Sequence, residues 1–261
     1  MKKTLIALAV AASAAVSGSA MAAWVSHGTG STVELGGTLT PVAKVTPWEV
    51  KTGDAVTALN GDVQKGQKVV DISVTRAIPV LGIRSIESKA FLGASGITPQ
   101  IDYDGALNVD SFSNGRAPLT LEVRNGNNEK IGNLTTVMAS GAEMSWGSRN
   151  GEGRGKFSLF AVNSGDAFFG GLGKSDSGIG QNGWDIANAI SPEFVTHYVD
   201  QDAEATSPQK DRFDKTDTYY SGFYGSGIEA GQTIKITLDK GAAGDTSIQW
   251  KASLPVTVAY M

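Results

Sequence analysis

The chain carries two histidines and no cysteine in 261 residues, which removes most nucleophilic and metal chemistry at the outset. Without thiols there is no cysteine nucleophile, no Cys-ligated zinc and no iron–sulfur cluster. His27 and His197 are far apart in sequence, and no His-x-x-x-His pair exists to seed a histidine metal site. His197 has Asp200 and Asp202 nearby and reads as a structural histidine rather than a ligand or base. Gly151-Glu152-Gly153-Arg154-Gly155-Lys156 imitates a phosphate loop, but Asn150 stands where the first glycine belongs and Phe157 where a hydroxyl belongs. Asp200-Gln201-Asp202-Ala203-Glu204 alternates acids as calcium loops do, yet lacks the turn glycine and the distal bidentate acid. Nothing singles out a carboxylate pair for glycoside hydrolysis. No catalytic residue, metal or cofactor is assigned, and the chain reads as a non-enzyme.

Recognition chemistry is better represented. Trp146 lies close in sequence to Arg149, Arg154 and Lys156, which together offer an aromatic face for a sugar ring with charged donors beside it. Trp184 and Tyr219, with Tyr220 and Phe223, extend that set of candidate receptor-binding residues. The competing reading places most of these aromatics in a core, and Trp48 and Trp250 are assigned there directly.

The elements that position such residues begin with an export signal. Lys2-Lys3, the apolar run Leu5 to Val16 and Ala20-Met21-Ala22 spell a secretory signal peptide over residues 1–22, with cleavage before Ala23. The apolar run falls short of the ~20 residues a membrane span requires. The formal net charge of −4 becomes more negative once Lys2 and Lys3 are removed, which argues against nucleic acid as a partner.

Beyond the signal, short alternating runs are closed by Gly, Asn, Asp or Pro, as a sandwich or barrel requires. Val69–Val74, Leu119–Val123, Thr233–Leu238 and Trp250–Tyr260 alternate, and Asn60-Gly61, Asp104-Gly105 and Asn114-Gly115 are turns. Leu119 to Met138 predicts a hairpin around Arg124-Asn125-Gly126-Asn127. Residues about 140–216 break the pattern and read as a large loop and short-helix insertion with mobile, glycine-rich parts. Within it, Ser191-Pro192-Glu193-Phe194 gives an N-cap, a proline at the first helical position and an acid in the first turn. Lys156–Val162 reads as either a helical turn or a buried strand.

Both ends alternate too. Trp250, Ala252, Leu254, Val256, Val258 and Tyr260 share one face of a terminal strand, and Pro255 denies it one ladder bond. Val33, Leu35, Gly37 and Leu39 share one parity after the polar start Ser26 to Ser31. A detached strand of this kind invites another chain's groove.

Val33 to Thr40, Trp48-Glu49-Val50-Lys51, Val80-Leu81-Gly82, Ser158 to Ala161, Phe168 to Leu172, Gly227 to Ile234 and Gln249 to Tyr260 resemble, in order, the FaeG-like fimbrial subunits of the chaperone–usher class. The resemblance implies an all-β, incomplete immunoglobulin-like sandwich completed by donor-strand exchange, with the insertion carrying receptor binding. It implies a donor-strand extension at residues 23–41 and a pilin domain at 42–261 containing the insertion at about 140–216. Carried over by position, Val33, Leu35 and Leu39 fill pockets of another subunit, Gly37 meets a shallow one, and Trp250, Leu254, Val256, Val258 and Tyr260 wall the acceptor groove. The implied partners are identical or related subunits, a periplasmic chaperone, an outer-membrane usher and a host glycoconjugate. The implied route runs through the periplasm to a fimbrium on the cell surface. Two other readings stand beside the adhesive subunit: a minor, tip or assembly-regulating subunit without a receptor, and a secreted lectin or glycan-active enzyme.

Overall fold

The computed structural model describes residues 26–27, 33, 35–40, 45–180, 182–243 and 247–261. The expected signal peptide, residues 1–22, and the remainder of the 23–41 extension lie outside the described residues. Val45–Met261 is one compact unit and Met1–Lys44 another. In the first unit the described residues 33 and 35–40 carry no regular secondary structure, and Val33, Leu35 and Leu39 are exposed.

The larger unit is an all-β sandwich with one short helix. Its strands are β1 (Trp48–Thr52), β2 (Val69–Ser73), β3 (Ile78–Ser85), β4 (Phe91–Leu92), β5 (Pro99–Asp102), β6 (Arg116–Asn125), β7 (Lys130–Ser148), β8 (Arg154–Ser158), β9 (Thr218–Ile228), β10 (Thr233–Leu238), β11 (Trp250–Lys251) and β12 (Thr257–Tyr260), with helix α1 (Gly183–Ile190) between β8 and β9. β7 is the spine. β10 and then β9 run antiparallel along one side of it, while β6 and then β8 run along the other. β2, β3 and β4 add outside β10 and β9, and β1 closes that end of the ten-stranded sheet. β5 and β12 form a separate two-stranded sheet. Its buried Ile101 and half-buried Val258 and Tyr260 meet Leu81, Ile83, Leu119, Met144 and Tyr224 of the large sheet in one apolar core.

Local chemistry explains the connections. Asp104-Gly105 and Asn114-Gly115 place both turn residues at positive φ (53° and 72°, 49° and 76°), as tight hairpins demand and as Asn, Asp and Gly tolerate. The expected β6–β7 hairpin forms, but its left-handed residue is Asn128 (φ 67°), not a residue of the 124–127 centre. Asn125 Oδ1 instead accepts from the N–H groups of Asn127 and Glu129, both at 3.0 Å, and this closes the turn. Trp48 is core, as expected: its indole N–H donates to Ile97 O at 2.7 Å, and its ring packs edge-on against Phe91, Phe168 and Phe213.

Much of the stretch 140–216 contributes to the sheet and the core. It supplies half of β7, all of β8 and the buried Phe157, Leu159, Phe168, Leu172 and Phe213. Lys156–Val162 resolves to the end of β8 and the segment after it, with no helical turn. The Ser191-Pro192 signal yields a 3-10 turn at Pro192–Val195. Glycine is used here for close approach. Gly82, Gly225 and Gly141 are direct cross-strand neighbours on β3, β9 and β7, forming a row without side chains on the outer sheet face. α1 and the Pro192–Val195 turn lie in that trough, pressing Phe194 and Ala187 onto Gly225 and Gly183 onto Gly141. A Cβ on Gly225 would sit 2.6 Å from the Phe194 ring and 2.8 Å from Ala187 Cβ. Gly225→Ala is therefore expected to destabilise the domain by about 1–3 kcal/mol, the usual cost of overpacking. Urea unfolding measures this, and an unchanged midpoint would contradict the close packing.

Candidate functional site

Two regions stand out, and the first is the C-terminal strand. From Trp250 to Met261 burial alternates residue by residue as the sequence requires, but the inward side chains are only half buried. The contrast is β10, whose inward Ile234, Ile236 and Leu238 are fully buried. Trp250 and Ala252 lean on a cluster built from β2, β7 and β10, where Leu59, Val63 and Ile131 are also only partly covered. Leu254, Val256, Val258 and Tyr260 lean on the main core.

The ladder is one-sided as well. β11 pairs with Asn125 and Arg124 of β6, and β12 pairs with β5. β5 has company on its other edge, where Ile101 N–H donates to Phe169 O at 2.8 Å and Phe168 N–H to Pro99 O at 2.9 Å. β12 has no second strand among the described residues. Residues 252–256 make no strand pairing, and Pro255, which has no N–H, sits among them. Where this segment parts from β6, a cleft of about 550 Å³ opens between Lys251, Ser253 and Pro255 on one bank and Thr120, Glu122 and Arg124 on the other.

The second region is the outer face of β7, β8 and β9 beside α1. Strand alternation divides the candidate receptor residues. Trp146 packs half-buried against the core, with Gly153 and Gly155 leaving room for its ring. Tyr220 and Phe223 are fully buried and present no surface. Lys156, Arg154 and Tyr219 lie on the opposite face from Trp146, and Trp184 is partly exposed on α1 above it. Arg149 is exposed at the end of β7, where its N–H donates to Asp217 O at 2.8 Å.

A strap of residues 199–202 crosses this face. Gln201 Nε2 donates to Ser145 Oγ at 3.0 Å and Tyr219 O at 3.3 Å, and Ser145 Oγ donates to Val199 O at 2.6 Å. Lys156 Nζ donates to Asp200 Oδ2 at 2.9 Å and holds that carboxyl below the usual carboxylate range. Arg154 reaches Gln201 O at 3.4 Å. Thus Asp200-Gln201-Asp202 of the acidic run lies in the strap, and Gly151-Glu152-Gly153 joins β7 to β8, with Gly155 inside β8 opposite Trp146. His197 Nδ1 donates to Ser85 O at 2.7 Å and lies 3.4 Å from Glu49, a structural role as expected. Among the described residues no three His, Asp or Glu side chains gather into a metal-holding group.

Sequence reading missed α1 and Glu143. The helix had a legible start, since Asn182 Oδ1 accepts from Asp185 N–H at 3.1 Å as an N-cap. Asn182-Gly183 also spells a turn, and that second meaning hides the first. Glu143 Oε1 accepts from Trp184 N–H at 3.2 Å beneath α1. Burial pushes its carboxyl above the usual range; the Trp184 N–H and Lys156 oppose the shift, and Asp185 adds to it.

The frame of the candidate site is thus an all-β sandwich whose final strand is only half covered. The chain matches the family described as "Fimbrial, major and minor subunit" over residues 1–261 and belongs to it. It is 32% identical to K88 fimbrial protein AB, 31% to K88 fimbrial protein AC and 30% to F41 fimbrial protein, all of Escherichia coli, in each case across the full length of both chains.

A raised folded-state pKa means that the folded chain binds the Glu143 proton more tightly than the unfolded chain. Its stability contribution is therefore complete at acidic pH and is lost as pH rises through the folded value. Glu143→Gln is expected to flatten that decline, giving a higher urea midpoint than wild type at about pH 8 and little difference at about pH 4. Equal slopes of midpoint against pH in both proteins would contradict the assignment.

Proposed function

We propose that this fimbrial subunit polymerises by strand donation: the N-terminal segment, about Trp24 to Thr40, enters the groove beside another copy's C-terminal strand. The observation that carries this reading is the final strand, whose apolar parity is half covered and whose ladder, among the described residues, is one-sided. Val33, Leu35 and Leu39, exposed by 81, 93 and 96%, supply the alternating side chains such a groove accepts, with Gly37 at a shallow position. Each buried side chain contributes about 1.5–3 kcal/mol, and the backbone ladder forms at the same time. Withdrawal would mean pulling a strand out of a core, so the joint persists kinetically as well.

Before assembly a periplasmic chaperone lends the missing strand, and at the outer-membrane usher the next subunit, identical or related, replaces it. This places the chain in a fimbrium on the cell surface. Trp184 on α1 and Tyr219 on β9, partly exposed on the face that also carries Lys156 and Arg154 of β8, favour adhesion to a host glycoconjugate over the receptor-free reading of a minor or tip subunit.

Co-expression with a fimbrial chaperone, followed by electrophoresis of unheated and heated samples, tests the polymer. The full-length chain is expected to give heat-sensitive, SDS-resistant ladders, and Leu35→Asp or deletion of residues 23–40 is expected to abolish them. A stable monomer that needs no chaperone would overturn strand donation. Trp184→Ala is expected to leave the ladders intact while lowering fibre binding to a glycan array by about tenfold, the loss typical of an aromatic anchor. Unchanged binding would remove Trp184 from the receptor site.

A further inference from the structure

β1 ends the large sheet and, among the described residues, pairs with β3 alone. The phase of that ladder is fixed at both ends, where Ile86 N–H donates to Pro47 O and Gly53 N–H to Val80 O, each at 2.9 Å. Antiparallel alternation then turns the backbone groups of Glu49 and Lys51 toward β3 and those of Trp48, Val50 and Thr52 toward the free edge. Val50 is 42% exposed on that edge.

The side chains on the outer face carry a matching pattern. Glu49 accepts from Arg84 Nε at 2.5 Å, and Lys51 donates to Glu193 at 2.8 Å, so both are held upright while their side chains remain 43% and 57% exposed. A second β1 laid antiparallel with Val50 opposite its own copy places Glu49 opposite the other Lys51, and Lys51 opposite the other Glu49. The same register sets the outward backbone groups of Trp48, Val50 and Thr52 against those of Thr52, Val50 and Trp48. Charge and hydrogen-bond phase therefore select one register, and it is self-complementary. Across the joint the charges alternate as Arg84, Glu49, then the second copy's Lys51 and Glu193.

We propose that β1 is a self-pairing edge through which two copies of this chain associate side by side about Val50, separately from any head-to-tail joint. Edge strands with exposed ladders usually carry charge that repels strand addition. Here the sequence Trp48-Glu49-Val50-Lys51-Thr52 turns that charge into a specific attraction for a second copy of itself.

The absence of native cysteine makes the test direct. Single variants Val50→Cys, Thr52→Cys and, as an exposed control in the loop, Val56→Cys are made in the full-length chain, oxidised mildly and boiled in detergent. Non-reducing electrophoresis then reads only the disulfide. In the proposed register two copies of residue 50 face each other about 5.5 Å apart, within disulfide reach. Two copies of residue 52 stand about 13 Å apart along the strands, out of reach. Val50→Cys is expected to give dimer at least about fivefold above the other two. Adding Lys51→Glu is expected to remove that excess, because like charges then face each other. Mixing that chain with a Val50→Cys chain carrying Glu49→Lys is expected to restore the dimer in mixed form only. Dimer from Val50→Cys no greater than from Val56→Cys would overturn the proposal, as would equal yield from Thr52→Cys. The cysteine variants leave both ion pairs in place, so this comparison stands even where a charge variant folds poorly.

Discussion

A final strand that half-buries one face and, among the described residues, pairs on one edge is the constraint around which this domain is organised. The final strand directs Leu254, Val256, Val258 and Tyr260 at the core, yet they are only half covered. Burial of apolar area stabilises by about 25 cal/mol per Å², so each half-covered side chain leaves stabilisation unrealised. Backbone groups of the same strand that lack a partner among the described residues add a second deficit, because main-chain donors and acceptors need partners wherever water is excluded. One added strand would cover the side chains and close the ladder together. A cysteine-free chain has no disulfide to offset such a gap.

The rest of the sandwich is correspondingly well packed. Trp48 stands at the centre of an aromatic cluster with Phe91, Phe168 and Phe213, and its indole is tied to Ile97. Tyr103, Tyr224 and Ser226 join hydroxyls at 2.9 and 2.8 Å within the same core. On the outer face the Gly82–Gly225–Gly141 row seats α1 and the Pro192–Val195 turn against backbone. Glu193 and His197 then fasten that layer to β1 and β3. The half-covered final strand thus stands apart from the well-packed core of the same domain.

Much of this was legible in the sequence because period-2 patterning leaves few alternatives. Thr233–Leu238 and Trp250–Tyr260 announced their faces, and Asp104-Gly105 and Asn114-Gly115 their turns. The stretch 140–216 was harder for a physical reason. Glycine in sequence signals freedom, but Gly141 and Gly225 are there so that a helix can touch a sheet, which only the cross-strand register reveals. The aromatic candidates show the same limit: Trp146, Tyr219 and Tyr220 are neighbours in the folded chain, yet strand alternation sends Tyr219 outward and the other two toward the core. Glu143 carried no local signal, since its burial depends on α1 arriving from forty residues downstream.

The most direct test of the central claim follows the backbone amides of Leu254 to Tyr260 by hydrogen exchange in a chain lacking residues 23–40, with and without a synthetic peptide spanning residues 31–41. Strand addition predicts that the peptide slows exchange across this segment and that a peptide with Leu35→Asp does not. Exchange that is already slow without the peptide, or equally fast with it, would contradict the account, because the final strand would then need no partner.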